Sequence, residues 1–206
     1  MTPRSDAKVS ADALRAELLK LCTLPAIAYT IAGIWALTAL LTIALVNAGQ
    51  DGGDALSGPV AAGFVVLGLL PITSEYQGGQ IRTTLTAVPR RITAYGAKVI
   101  ALLVITLPVA GTTVAVTALI DGTADARAIG YLTITTVIAH ATGTLIRRTV
   151  PALVGLLAYY FIIGPLLQGR TSAAKYLPDS TNWMTLAVWA AGLTALAILA
   201  FRSRDA

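Results

Sequence analysis

The chain has 206 residues and a net charge of +5, with 56% hydrophobic but only 12% charged residues. An average soluble domain carries about 25% charged residues, so this chain lacks the charge to cover a water-exposed surface. Disorder is excluded, because it requires low hydrophobicity together with high charge. A fold held by internal disulfides is excluded as well, because Cys22 is the only cysteine. These exclusions leave an integral membrane protein.

Six apolar stretches without Asp, Glu, Lys or Arg predict the membrane spans, since a crossing helix needs roughly 20 apolar residues. They cover residues 26–46, 56–73, 99–120, 128–146, 150–167 and 183–201. The second stretch is the least regular, because Gly58, Pro59 and Pro71 interrupt it. We therefore predict an all-α membrane protein with six spans over 26–201, a cytosolic N-terminus over 1–25, a cytosolic loop over 74–98 and a C-terminal tail over 202–206.

The basic residues predict the orientation of these spans. With both termini inside, only Arg127, Arg170 and Lys175 fall outside. The other twelve lie inside: Arg4, Lys8, Arg15, Lys20, Arg82, Arg90, Arg91, Lys98, Arg147, Arg148, Arg202 and Arg204. Cytoplasmic loops of membrane proteins are enriched in Lys and Arg, so this division favours cytoplasmic termini.

Residues 10–23 predict a helix ahead of the first span. Ala11, Leu14, Leu18, Leu21 and Cys22 recur at helical spacing and form an apolar stripe. Such a helix is expected to lie on the inner leaflet, and we call it the elbow helix. The alternative is an ordinary cytosolic extension with modest periodicity.

A second, shorter helical element is predicted within the loop 74–98. Gly78 and Gly79 are expected to break the preceding helix, residues 81–88 could form one or two helical turns, and Pro89 is expected to end them. A short amphipathic element with basic flanks is suited to docking a cytosolic partner. The alternative is an ordinary cytosolic loop, whose basic residues reflect only the enrichment of Lys and Arg on the cytoplasmic side. Glu75, at the membrane edge, is expected to accept hydrogen bonds from this element or to pair with a basic residue of the elbow helix.

The same loop resembles one family. Type-2 ABC transporter permeases, particularly small six-span actinobacterial subunits, carry a similar pattern in their first cytosolic loop. The matching residues are Ser74-Glu75-Tyr76, Gly79, Ile81-Arg82-Thr83-Thr84-Leu85, Pro89-Arg90-Arg91 and Lys98. Gln80 departs from the pattern, since the family usually has threonine there. Residues 14–20 resemble the family's elbow helix, and 176–178 resemble its external re-entrant region.

The resemblance implies the membrane subunit of an ATP-driven exporter in a bacterial plasma membrane. Such a subunit pairs with a second permease, identical or paralogous, and with cytosolic ATP-binding subunits that hold ATP and Mg²⁺. The 81–88 element would be the coupling helix. The residues expected to couple to the ATPase are Glu75, Ile81, Arg82, Leu85, Arg90 and Arg91.

Catalysis by this chain is not expected. It contains no G-x-x-x-x-G-K-[ST] phosphate loop, and one His with one Cys makes a metal centre implausible. His140 lies inside the fourth stretch, where an interhelical hydrogen bond to a threonine is expected rather than a substrate or proton-sensitive site. The alternative to a permease is an immunity or scaffold protein that binds a peptide or another membrane protein.

Overall fold

The computed structural model describes residues 6–77, 91–123, 125–168, 178 and 183–204. Every secondary-structure element within these ranges is helical. In chain order they are α1 (Asp6–Thr23), α2 (Pro25–Asn47), α3 (Asp54–Ser57), α4 (Pro59–Gln77), α5 (Arg91–Asp121), α6 (Arg127–Ile146), α7 (Thr149–Ala158), a π-helical turn (Tyr159–Ile163), α8 (Gly164–Gln168) and α9 (Trp183–Arg204).

Five helical stretches in the described ranges are long and apolar enough to cross a membrane. They are Pro25–Asn47, Asp54–Glu75, Ile92–Asp121, Arg127–Ile146 and Thr149–Leu167. Large apolar side chains are exposed on them, for example Tyr29 at 78% and Leu119 at 86%. A soluble monomer rarely exposes so much apolar surface, whereas lipid covers it in a multi-pass membrane protein. In α9 the apolar stretch Met184–Ala200 is shorter, at 17 residues.

Helices α4 and α6 form the centre of the fold. Phe64, Leu67 and Ile72 of α4 are fully buried. α4 packs mainly on α6, and α2 and α7 flank it, while α5 and α9 pack on other faces of α6. α1 packs chiefly on α5. The two central helices therefore depend on protein packing, and the outer helices contribute the lipid-facing surface.

Glycines let α4 and α6 approach each other closely. A Cβ atom at Gly68 would lie 2.3 Å from the Thr136 backbone oxygen and 2.9 Å from the Ala139 Cβ. A Cβ at Gly143 would lie 2.8 Å from Ile72 Cγ2. Small residues at membrane-helix interfaces permit such contacts, and the Ala139-x-x-x-Gly143 spacing serves that purpose here.

Two predicted segments have different boundaries in the structure. The loop predicted over 74–98 is helical at both ends, because α4 continues to Gln77 and α5 begins at Arg91. The helix predicted over 10–23 begins at Asp6. Its stripe also faces protein: Leu21 is in the core and Leu14 and Leu18 pack against it. Ala11 and Cys22, which belong to the predicted stripe, are exposed.

Candidate functional site: a buried ionic cluster at the ends of three helices

Glu75 is almost fully buried near the end of α4, with 1% of its surface exposed. Its Oε1 accepts a hydrogen bond from Lys98 Nζ of α5 at 2.5 Å. The same oxygen accepts a second hydrogen bond from Lys20 Nζ of α1. Glu75 thus joins α1, α4 and α5, and its charge is compensated by two ammonium groups.

Lys98 is the second buried charge, with 4% of its surface exposed. Its Nζ also donates to Glu17 Oε1 of α1 at 2.6 Å. Glu17, Lys20, Glu75 and Lys98 therefore form a chain of alternating charge, which we call the ionic cluster. Two carboxylates and two ammonium groups leave it with no net formal charge. Isolated buried charges cost several kcal/mol, so this pairing is what allows Glu75 and Lys98 to be buried.

The local sequence of α1 explains how it supplies one acid and one base. Glu17 and Lys20 are three residues apart, so they lie on neighbouring positions of one helix surface. Leu14, Leu18 and Leu21 pack against the core beside them. The apolar contacts set the rotation of α1, and that rotation directs Glu17 and Lys20 toward Lys98 and Glu75.

The position of the cluster along the chain connects it to the predicted docking element. Glu75 precedes residues 78–90, and Lys98 follows them. The Glu75–Lys98 ion pair therefore joins the helix that enters this segment to the helix that leaves it, and α1 is bound to both. A force applied to the segment would reach α1, α4 and α5 as a connected unit.

A second polar contact lies about one turn before Lys98 in α5. Tyr95, 2% exposed, has its ring centroid 5.8 Å from that of His140 on α6. His140 Nδ1 lies 3.3 Å from the Gly68 carbonyl oxygen of α4. Because a carbonyl only accepts, this hydrogen bond places the proton on Nδ1. His140 thus makes the expected interhelical hydrogen bond, but its partner is a backbone carbonyl rather than a threonine, because the close approach at Gly68 brings that carbonyl within reach.

Of the residues expected to couple to an ATPase, the structure describes few. Glu75 is placed as above, and its partner Lys20 is a basic residue of α1, the helix that precedes the first apolar stretch. Ile81, Arg82, Leu85 and Arg90 lie outside the described residues. Arg91 is the first residue of α5, and its side chain lies outside the described part.

Sequence reasoning missed Glu17 and misassigned Lys98. We interpreted Lys98 as a loop charge on the cytosolic side, whereas it is helical and buried. The available signal was a lone acid at a span end, which requires a countercharge, together with an acid and a base three residues apart on an apolar helix. That pattern predicts pairing but does not select the partners.

The acidic and basic side chains of the ionic cluster are paired with one another. Within the described ranges, no group of three or more His, Cys, Asp or Glu side chains is arranged to hold a metal ion. Each of the two carboxylates in the cluster is bound by at least one lysine instead.

No protein-family model matches the chain, and no curated protein matches it.

Proposed function

We propose that the chain is the permease subunit of an ATP-driven ABC exporter in a bacterial plasma membrane. In this proposal it has six spans, with α9 as the sixth, and both termini are cytoplasmic. α1 is the elbow helix at the inner leaflet. ATP and Mg²⁺ bind to a separate ATPase chain, and a second permease subunit, identical or paralogous, completes the pathway.

The ionic cluster is the observation that carries this proposal. An ATPase drives a transporter only if its closure moves the membrane helices, which requires a docking element fixed firmly to helix ends. Glu75 and Lys98 are bonded to each other on either side of residues 78–90. Lys20 and Glu17 extend the connection to α1. A cytosolic loop that served only as a connector would not need buried ion pairs at its base.

The docking element itself is proposed from the sequence. Ile81 and Leu85 are four residues apart, so a helical turn would place both on one face. Burial of one such side chain in an ATPase groove stabilises a complex by roughly 1.5–3 kcal/mol. Arg82 would lie at the rim, where a charge affects the association rate more than the affinity.

The test replaces both anchors with Asp, as Ile81→Asp with Leu85→Asp. Thr83→Asp with Ala87→Asp is the matched control, because it introduces the same charges at the same spacing on the opposite face. We expect the first variant to insert and fold but to lose its ABC ATP-binding subunit and the associated ATP turnover. The control is expected to retain both. Full retention by the anchor variant, or purification of the native chain without any ATP-binding subunit, would favour the immunity or scaffold alternative.

A further inference from the structure

A cavity of about 150 Å³ lies between α6, the π-helical turn and α9. We call it the tyrosine cavity; it is lined by Ile138, Thr142, Leu156, Tyr159, Tyr160, Pro178, Trp189 and Leu193. Ile138 and Leu156 are buried, whereas Trp189 is 43% exposed. The cavity therefore extends from the interior to the exposed apolar surface of α9, which lipid covers in a membrane.

The π-helical turn shapes one wall of this cavity. Gly164 N–H donates to the Tyr159 carbonyl, five residues back, instead of closing an ordinary α-helical turn. Pro165 follows and has no N–H to continue the regular pattern. Tyr159 and Tyr160 are both directed inward, with their rings 5.4 Å apart in an edge-to-face arrangement. Single π-helical turns within α-helices frequently occur at functional sites.

The hydroxyl groups of the lining residues are already bonded within the protein. Tyr159 donates to the Pro178 carbonyl at 2.9 Å, and Thr142 donates to the Ile138 carbonyl at 2.8 Å. Tyr160 contacts Thr135 Oγ1 at 3.4 Å. None of the eight lining residues is charged. A polar or ionic occupant would have to displace existing hydrogen bonds, whereas an uncharged apolar occupant would leave them intact.

The size and the lining select the occupant. A dry apolar cavity of about 150 Å³ is large enough for a single benzene ring. Aromatic rings prefer edge-to-face and offset contacts with neighbouring rings, which two tyrosines and Trp189 supply. We propose that the tyrosine cavity binds an uncharged molecule or group of single-aromatic-ring size that enters from the lipid phase beside Trp189. This assignment does not depend on the proposed exporter function.

Bromobenzene is the probe, because it quenches tryptophan fluorescence on contact. The full chain with Trp35→Phe and Trp183→Phe retains Trp189 as its single tryptophan and is placed in lipid nanodiscs. We expect saturable quenching that benzene, which does not quench, reverses by competition. Quenching that rises linearly and resists benzene would reflect partition into lipid alone and would overturn the proposal.

Cavity-filling variants locate the site. Leu193→Phe narrows the cavity and is expected to abolish the saturable quenching by bromobenzene. Leu156→Phe is expected to do the same and replaces Leu193→Phe in the experiment if that variant does not fold. Leu196→Phe is the control, because Leu196 lies one turn away on α9 and is 54% exposed. Its saturable quenching is expected to remain. Equal quenching in the folded Leu193, Leu156 and Leu196 variants would contradict the site.

A second experiment distinguishes an aromatic ring from a lipid acyl chain as the occupant of the tyrosine cavity. The same single-tryptophan protein is placed in nanodiscs whose phosphatidylcholine carries brominated acyl chains. Because Trp189 is partly exposed, some quenching by this lipid is expected in any case, and it should be the same in Leu193→Phe. Quenching by the brominated lipid that Leu193→Phe relieves would identify an acyl chain as the occupant and overturn the assignment of a ring.

Discussion

Glu75 and Lys98 are separated by the whole 78–90 segment, yet Glu75 Oε1 lies 2.5 Å from Lys98 Nζ, and both residues are buried. Each has a further partner on α1, so neither charge depends on one contact alone. The base of the segment is therefore fixed by electrostatics as well as by packing. This relationship gives the ionic cluster a measurable role in stability.

Removing one charge of the buried pair is expected to destabilise the fold. Glu75→Gln leaves Lys20 without the ion pair described above and Lys98 with Glu17 alone, and Lys98→Met leaves Glu17 without its ion pair. Loss of one partner of a buried pair costs about 3–5 kcal/mol. Lys20→Met is expected to cost less, because the Lys20 side chain is 26% exposed and water can replace it. Thermal unfolding of the purified proteins in detergent measures the loss of stability in each of the three variants.

The double variant Glu75→Gln with Lys98→Met provides the control for that experiment. It removes the pair together, so its loss of stability should be smaller than the sum of the two single losses. Membrane insertion is expected to remain intact in all of these variants. Additive losses would show that the two residues act independently and would contradict the ion pair.

Close packing of α4 on α6 predicts a graded response to alanine. Gly68→Ala forces its Cβ to within 2.3 Å of a backbone oxygen, so the helices must separate. Overpacking of this kind costs typically 1–3 kcal/mol, and the His140 hydrogen bond to Gly68 would weaken as well. Gly143→Ala should cost less, because its Cβ would meet side-chain methyl groups of Ile72 and Leu69 rather than a backbone atom.

Gly33→Ala is the matched control, because Gly33 lies in α2 and a Cβ there meets nothing within 4 Å. It should be neutral or stabilising, since alanine favours helix more than glycine does by about 1 kcal/mol. Thermal unfolding of the three variants tests the order. A Gly68→Ala protein as stable as Gly33→Ala would contradict the close approach of α4 and α6.

Much of the helical layout is predictable from uncharged apolar runs. The stretch predicted at 26–46 is observed as Pro25–Asn47, and the one at 128–146 as Arg127–Ile146. Pro25, Gly49, Arg127 and Arg147 lie at or next to these ends, so the limits of the apolar runs are clear from the sequence. Hydropathy failed at the start of α5, because Tyr95 and Lys98 look like loop residues until their partners on other helices are known.

The site depends on contacts that one sequence does not specify. A helix end with an acid predicts a countercharge, but the rotation of α1 decides that Lys20 rather than Arg15 reaches Glu75. The tyrosine cavity was not predicted at all. It lies where α7 and α9 both pack on α6, and the π-helical turn forms part of its wall. Residues 159–165 contain no sequence pattern that predicts either this packing or the π-helical turn.

The hairpin between α6 and α7 stores backbone strain at Arg147. Its φ of 60° places a non-glycine residue in the left-handed region, where its N–H donates to the Gly143 carbonyl at 2.8 Å and ends α6. This conformation costs an L-residue roughly 1–2 kcal/mol, and glycine avoids the cost. Arg147→Gly should therefore unfold at a higher temperature than Arg147→Ala. Both variants lose the same charge, so equal stability would place Arg147 outside the left-handed region.

Membrane topology is predicted from the charge distribution, and α9 provides its most demanding test. Single cysteines replace Asp51, Gly79, Lys175 or Ser203 in a Cys22→Ser background, and an impermeant maleimide is added to intact cells. We expect labelling at positions 51 and 175, but labelling at positions 79 and 203 only after permeabilisation. Positions 175 and 203 lie on either side of the apolar stretch Met184–Ala200 of α9, so opposite accessibility would establish this stretch as a span despite its length of 17 residues. A helix spans about 26 Å over 17 residues, slightly less than the hydrocarbon core of about 30 Å, and the flanking residues Trp183 and Arg202 are of types that reach into the interface.

Outside labelling at position 203 would reduce the spans to five and place the C-terminus outside, and inside labelling at position 51 would invert the proposed topology.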